Sequence, residues 1–269
     1  MSSVFREDAL AGKTVFIAGA SSGINLGIAQ AFARAGARLA LISRSDERIA
    51  AAARTINDAG GTALGIAADV RDYAAVEAAM ARAREAFGPF DAVISGAAGN
   101  FIAPVAGMSA NAFKTVIDID LLGTFNVFRS SHDNLRTPGA SLIAITAPQA
   151  TQARMFQAHA CAAKAGINML VKCLALEWGP AGVRVNGISP GPIAETEGMA
   201  RLAPTPQAEA ATKGRLALRD YGRKQDIADS ALFLCSDNAR YITGTILDCD
   251  GGTSAGDATG DALTVPVRQ

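Results

Sequence analysis

The 269-residue sequence predicts a single α/β domain, a doubly wound parallel sheet of about seven strands with helices on both faces. Three observations predict it. Short apolar runs alternate with Ala-rich amphipathic stretches along most of the chain. A glycine-spaced loop follows the first apolar run and opens the first helical stretch. No break in composition and no repeat marks a second domain. Strand then helix, repeated, implies a parallel sheet whose two faces are both covered.

The elements follow in order. "TVFIAG" (14–19) reads as the first strand and 24–35 as the first helix, joined by "AGASSGINLGIAQAF". In that loop Gly19, Gly23 and Gly27 recur every fourth position. Glycine permits the tight turn and lets backbone N–H groups, here those around Ser21, Ser22, Ile24 and Asn25, approach a pyrophosphate at a helix N-terminus. The competing reading is an ordinary strand-to-helix turn; position after the first strand favours a Rossmann-like phosphate loop. The second strand (37–43) ends in "LISRS". An acidic residue there would suit the ribose hydroxyls of NAD. Arg44 instead offers a guanidinium to a 2′-phosphate, with Ser43 and Ser45 as further donors, which points to NADP(H) rather than a solvated surface arginine. After the helix 46–59, the third strand (62–68) runs into "DVRD", placing Asp69 and Val70 for the adenine edge. After the helix 72–87, the fourth strand (90–95) ends in "SGAAG", where Ala97, Ala98 and Gly99 let a cofactor lie close. The remaining strands are 140–146, 183–189 and 244–250, with helices at 109–135, 152–178 and 225–236. Segment 191–219, rich in Pro, Glu, Ala and Thr, interrupts the alternation at the carboxyl ends of the strands and is a candidate lid. The domain so read spans 1–255, and 256–269 is a tail with little core character.

Lys plus Arg equals Asp plus Glu at 25 each, so no long-range field recommends nucleic acid or an anionic membrane as partner. The start "MSSVFREDALAGK" has no apolar h-region, and no stretch reaches membrane-spanning length without charge or glycine. Cys161, Cys173, Cys235 and Cys249 form no C-x-x-C pair and have no histidine at ligand spacing. They read as reduced thiols of a cytoplasmic protein, with no metal site.

Together "GASSGI", "DV", "AAG", Lys164 and "PGPI" resemble the short-chain dehydrogenase/reductase family across about 240 residues. The stretches "AAGNFIAP", "TVIDIDLLGTFNV", "HACAAKAGIN", "GISPGPIAETEGMARL" and "YITGTILDCDGG" look like the 2,4-dienoyl-CoA reductases within it, particularly the peroxisomal type. The loop departs from the commoner form T-G-x-x-x-G-x-G, with Asn25 where the last glycine would stand. The resemblance implies hydride transfer from NADPH to the far end of a conjugated dienoyl-CoA, a homotetramer built on helices 109–135 and 152–178, and cofactor contacts at Pro190, Gly191, Ile193 and Thr196.

The Tyr-x-x-x-Lys pair of the wider family is incomplete: Lys164 is present and Ala160 stands where the tyrosine would be. The mitochondrial-type tyrosine, fifteen residues before the lysine, is Gln149, and the usual serine, seventeen before it, is Ala147. A carbonyl reductase protonates an alkoxide, for which a phenol is suited. A dienolate needs charge stabilised at oxygen and a proton for carbon, which a positioned water supplies. Three residues are the catalytic candidates. Lys164 would bind the nicotinamide ribose and place charge near the thioester oxygen, the alternative being a solvated helix lysine. Asp120, where the wider family has Asn, either holds a proton-donating water, pairs with Lys164, or makes a structural hydrogen bond. His159 either orders the water, contacts ribose or acyl chain, or is a structural histidine. Asn100 and Phe101 are candidates for the acyl end. Arg71, Ser109, Asn111 and Arg201 match positions that hold CoA in the resembled family. Two rival readings stand beside this one: another short-chain enoyl-thioester or carbonyl reductase, and a catalytically silent NADP-binding module.

Overall fold

The protein, described here from a computed structural model covering Phe5, Arg6 and residues 8–260, is built on one seven-stranded sheet, all parallel, in the order β3-β2-β1-β4-β5-β6-β7. Residues 261–269 of the expected tail lie outside the described residues. The chain runs β1 (Thr14–Ala18), α1 (Gly23–Arg34), β2 (Arg38–Ser43), α2 (Asp46–Asp58), β3 (Thr62–Ala67), α3 (Tyr73–Phe87) and β4 (Ala92–Ser95). Then come α4 (Ala110–Ile117), α5 (Gly123–Ser131), β5 (Ser141–Ile145), α6 (Ala158–Trp178) and β6 (Arg184–Pro190). It closes with α7 (Glu197–Leu202), α8 (Pro206–Arg215), α9 (Lys224–Cys235) and β7 (Ile246–Cys249). Each strand lies within two residues of its expected bounds, because buried parallel strands announce themselves as apolar runs.

The period-2 alternation of β1 splits the core in two. Val15 and Ile17 pack with Ile28, Phe32, Leu39 and Ile227 on the α1, α2 and α9 face. Phe16 and Ala18 pack with Val76, Met80, Phe128, Ile167 and Val171 on the α3, α5 and α6 face. Local chemistry starts the outer helices: the side chains of Ser45 and Asp72 accept from the backbone N–H groups of Arg48 and Ala75. Helix α1 differs, since its N-cap Ser22 makes no side-chain cap and leaves the first N–H groups of the helix to another acceptor.

Three expectations are corrected. Helix 109–135 is not uniform: between α4 and α5 the chain makes a π-turn over Asp118–Leu122, and α5 ends at Ser131. Helix 152–178 begins only at Ala158, because 151–157 is a loop in which Phe156 takes φ 64°. Segment 191–219, to which no element was assigned, carries α7 and α8, each without a buried residue, in the stretch bounded by Glu195 and Arg219, both at φ 57°. These helices escaped a periodicity reading because they have no apolar stripe. The first residues of the expected tail are also tied down: Ala258 N donates to Arg215 O, and Arg219 donates to Gly260 O.

The third loop glycine is explained by packing. A Cβ on Gly27 would stand 2.7 Å from Lys224 Cβ, so α1 and α9 approach through it. Gly27→Val is expected to destabilise the fold by about 1–3 kcal/mol through overpacking, read as a lowered urea midpoint at unchanged m-value.

Candidate active site

A cleft of about 1480 Å³ opens beyond the carboxyl ends of the strands, where the strand order reverses between β1 and β4. It exceeds the roughly 300–1,000 Å³ of a single-ligand pocket and leaves room for two ligands side by side. Gly19, Ser21, Ser22, Gly23, Ile24, Asn25, Arg44, Asp69, Val70, Ala97, Ala98, Pro190, Gly191, Ile193 and Thr196 line it, as do Asn100, Phe101, Lys164 and Arg201. The fold thus gathers most of the residues singled out in the sequence.

At the nucleotide end, Gly19 takes φ 78° with its Cα so close to the β4 end that a Cβ would lie 2.7 Å from Ala97 N. Asn25, in place of the commoner glycine, turns its side chain inward. Its Nδ2 donates to Ala18 O at 3.3 Å and Gly19 O at 3.4 Å, so its amide shapes the loop from beneath. Arg44 is exposed at the end of β2 and makes no hydrogen bond or ion pair among the described residues. An uncapped helix N-terminus, a glycine no side chain could replace and an unpaired guanidinium fit a phosphorylated dinucleotide. Asp69 is held by Arg71, whose Nη2 lies 2.6 Å from Oδ2; that guanidinium keeps the carboxyl below its ordinary range.

At the other end, Lys164 and Asp120 form a buried pair. Lys164 is 8% exposed and Asp120 1%. Lys164 Nζ donates to Ile145 O at 3.1 Å and lies 3.2 Å from Asp120 Oδ2. Asp120 Oδ1 accepts from Gly99 N at 2.7 Å, whereas Oδ2 has no aligned hydrogen-bond donor. The π-turn makes this arrangement: the wider turn carries Asp120 inward to α6, and such turns recur at functional sites. Ala160, one turn before Lys164 on the same helix face, is buried in a cluster with Val116 and Ala163 and does not line the cleft. None of the tyrosines of the chain, Tyr73, Tyr221 and Tyr241, lines the cleft.

Some candidates are placed elsewhere. Gly99 and Asp120 sit behind the lining, joined to each other. Ser109 caps α4 by accepting from Ala112 N, and Asn111 lies exposed on α4; with Arg71 they stand outside the cleft. His159 has no solvent exposure and lies outside the lining, with neither ring nitrogen hydrogen-bonded. Its ring stacks on Phe101 at 4.2 Å, which orients that ring, 38% exposed, at the cleft wall. Sequence reasoning missed Gln157 as a cleft residue; it stands just outside α6 as its N-cap, seven positions before Lys164. It missed Arg48, Arg154 and Arg215 as lining cations, for which only the folded loops provide a signal. Among the described residues no cluster of His, Cys, Asp or Glu could hold a metal ion, and no helix is long and apolar enough to cross a membrane.

Residues 19–254 match the family described as enoyl-(acyl carrier protein) reductase. The peroxisomal 2,4-dienoyl-CoA reductase of Pongo abelii is 43% identical, over 93% of this chain and 86% of that relative. That of Saccharomyces cerevisiae is 40% identical, over 92% and 86%. Among solved structures, a short-chain dehydrogenase from Bacillus anthracis is 36% identical with TM-score 0.82, covering 91% of this chain and 97% of its own. A dehydrogenase/reductase from Sinorhizobium meliloti is 34% identical with TM-score 0.85, covering 91% and 96%.

Burial holds the His159 imidazole below its ordinary value of 6.5 by disfavouring the charged form. Above pH 6.5 it is neutral folded and unfolded alike; below, the unfolded chain takes the proton first, so stability falls as pH drops toward the lowered folded value. The loss is expected to reach at most about 1.4 kcal/mol per pH unit. His159→Phe, which keeps a ring against Phe101, should show a smaller acid loss in urea midpoints measured between pH 7.5 and 5.5 (about one unit either side of a free imidazole).

Proposed function

The chain belongs to the short-chain dehydrogenase/reductase family, in the group described as enoyl-(acyl carrier protein) reductase, and from that membership we propose that it reduces 2,4-dienoyl-CoA with NADPH. The observation that carries the reading is the buried Lys164–Asp120 pair at a cleft with Ala160 in the place of a catalytic tyrosine.

When bound, the cofactor supplies hydride to the far end of the dienoyl system. The chain's own residues do the rest. The N-terminus of α1, with Ser21, Ser22 and Gly23, holds the pyrophosphate, and Arg44 the 2′-phosphate. Lys164 binds the nicotinamide ribose and sets positive charge near the thioester oxygen. Asp120 Oδ2, with an acceptor site unspent, orients the water that protonates carbon, while Oδ1 stays fixed on Gly99 N. Charge placed before the reaction needs no reorganisation when the dienolate forms. A saturated ketone would gain nothing here, since its alkoxide needs a donor at position 160.

The remaining features belong to the same reading. Segment 191–219 acts as a lid, supported by helices without buried residues and a left-handed backbone at both Glu195 and Arg219. Arg201 on the lid, with Arg71, Ser109 and Asn111 outside the cleft, contacts CoA. A homotetramer is supported by exposed Phe113, Leu122 and Phe125 on α4, the π-turn and α5, and Met169 and Leu176 on α6. A cytoplasmic location is supported by four free cysteines, the peroxisomal setting being that of the named relatives.

NADPH is expected to bind more tightly than NADH, and Arg44→Asp to weaken NADPH alone by about 10- to 100-fold, as loss of charge-assisted hydrogen bonds would. Calorimetric titration with both cofactors checks this, and equal native affinities would refute it. In steady-state assays, Asp120→Asn and Lys164→Ala should each lower kcat for a dienoyl-CoA about a hundredfold or more. Only the lysine variant should also weaken NADPH, and Ala160→Tyr should bring no gain. Near-native turnover in Asp120→Asn would show that the proton donor lies elsewhere.

A further inference from the structure

A second pocket, of about 370 Å³, lies on the α6 face of the sheet and takes no part in the mechanism above. Its volume is within the range of small-molecule sites. Its strand wall carries Ser189 of β6 and Asp248 of β7, which are register partners across the two strands. Both face α6: Val185 and Ile246 belong to the α3, α5 and α6 side of the core, and side chains four and two residues further along the same strands stay on that side. Its helix wall carries Asn168 and Lys172, which continue, at intervals of four, the stripe of α6 that begins with Lys164.

The polar groups on these walls are unspent. Among the described residues the Lys172 ammonium makes no hydrogen bond or ion pair, and neither does the Asp248 carboxylate, although both line the one pocket. Asn168 Oδ1 accepts from Thr146 Oγ1 at 2.7 Å, which fixes that amide and leaves both N–H bonds of Nδ2 without an acceptor. Ser189 is 2% exposed, and its Oγ is buried without a partner, which costs free energy. A charge turned inward on an edge strand guards that edge against pairing, and β7 is an edge. That reading accounts for Asp248 alone. It leaves the orphaned hydroxyl beside it, and the free cation and amide on the helix wall, unexplained.

We propose that this pocket is a second binding site, for a small zwitterion of the free α-amino-acid class, and that its occupant acts on the cleft through the wall the two share. A pocket with one free cation and one free anion is complemented by a ligand that carries one of each. Lys172 and Asn168 Nδ2 donate to the ligand's carboxylate, and Asp248 with Ser189 Oγ accepts from its ammonium. The shared wall is short. Ala147 lines both pocket and cleft. Asn168 holds Thr146, and Ser189 precedes Pro190, both cleft residues. The helix that carries Asn168 and Lys172 also carries Lys164. No bond forms or breaks in this site; it binds.

The test is calorimetric titration of the whole chain with L-alanine, propionate and ethylamine at one ionic strength. L-alanine should bind saturably at one site per chain. Propionate and ethylamine, each lacking one of the two charges, should bind at least about tenfold more weakly. Lys172→Met and Asp248→Asn should each weaken L-alanine by about tenfold or more. Ser189→Ala should weaken it by about threefold or more while the melting temperature stays level or rises, because in the free protein this hydroxyl has no bond to lose. A hydroxyl kept for the fold alone would lower the melting temperature and leave binding untouched. At saturation L-alanine should change NADPH affinity a few-fold, and in Lys172→Met it should not. Absence of saturable L-alanine binding overturns the proposal, and so does binding that survives both Lys172→Met and Asp248→Asn. Propionate as tight as L-alanine overturns the zwitterion assignment. Unchanged NADPH affinity with L-alanine bound removes the link to the cleft. No arm uses a dienoyl-CoA, so the result stands apart from the reading of the substrate.

Discussion

The rest of the site depends on one buried ion pair. Lys164 and Asp120 are taken out of water together, and a desolvated charge without its partner costs several kcal/mol. The cost is met by backbone as well as by attraction: Ile145 O accepts from the ammonium, and Gly99 N donates to the carboxylate. Four pieces of chain are thereby pinned to one point, namely the end of β5, the loop after β4, α6 and the π-turn. That point lies beneath the cleft on which the glycine loop also converges, so the charge pair is a structural knot and, in the proposed reaction, the chemical floor as well.

The two ends of the cleft solve different physical problems. At the α1 end the protein offers uncapped backbone N–H groups and an exposed, unpaired arginine, which is what the proposed phosphate binding requires. At the far end it buries side chains and satisfies them almost completely among themselves. The atoms left over there are two acceptor oxygens, Asp120 Oδ2 and Asn100 Oδ1, and the two ring nitrogens of His159. His159 belongs to the far end in a supporting role. Burial lowers its basicity, and it is sealed from solvent and stacked on the ring that forms the wall. A charged imidazole at that place would compete with the lysine for Asp120.

Much of this was legible in the sequence. The strands were, because a parallel strand buried on both faces has to be an apolar run, as in "TVFIA" and "SLIAI". The glycine turn after β1, Arg44 at the end of β2 and the lysine on α6 also fall where the sequence placed them in the fold, because their residue types are tied to position along a βαβ unit. What was not legible depended on side chains folding back on the backbone. Asn25 was read for the backbone N–H groups around it, and the fold adds that its side-chain amide props the loop from inside. Arg71 carries the same ambiguity, since its guanidinium is already chelated by Asp69. Helices α7 and α8 have no buried face and hence no periodicity to detect. Asn168, Lys172 and Asp248 carry no residue-type signal at all, and only the fold brings them to one pocket.

The π-turn has an effect beyond aiming one carboxylate. A straight α-helix advances about 100° per residue, so side chains twelve positions apart diverge by roughly 120°. A π-turn absorbs about one extra residue and resets the helical phase by the same angle. Phe113 on α4 and Phe125 on α5 are twelve positions apart, and the reset brings them to within roughly 20° of one meridian. Both rings are partly exposed, at 39% and 43%. Val116 and Phe128, also twelve apart, are by the same rotation both turned to the interior. The inserted residue therefore acts as a phase shifter, and the outward aromatic stripe and the inward carboxylate are two readouts of a single change in winding.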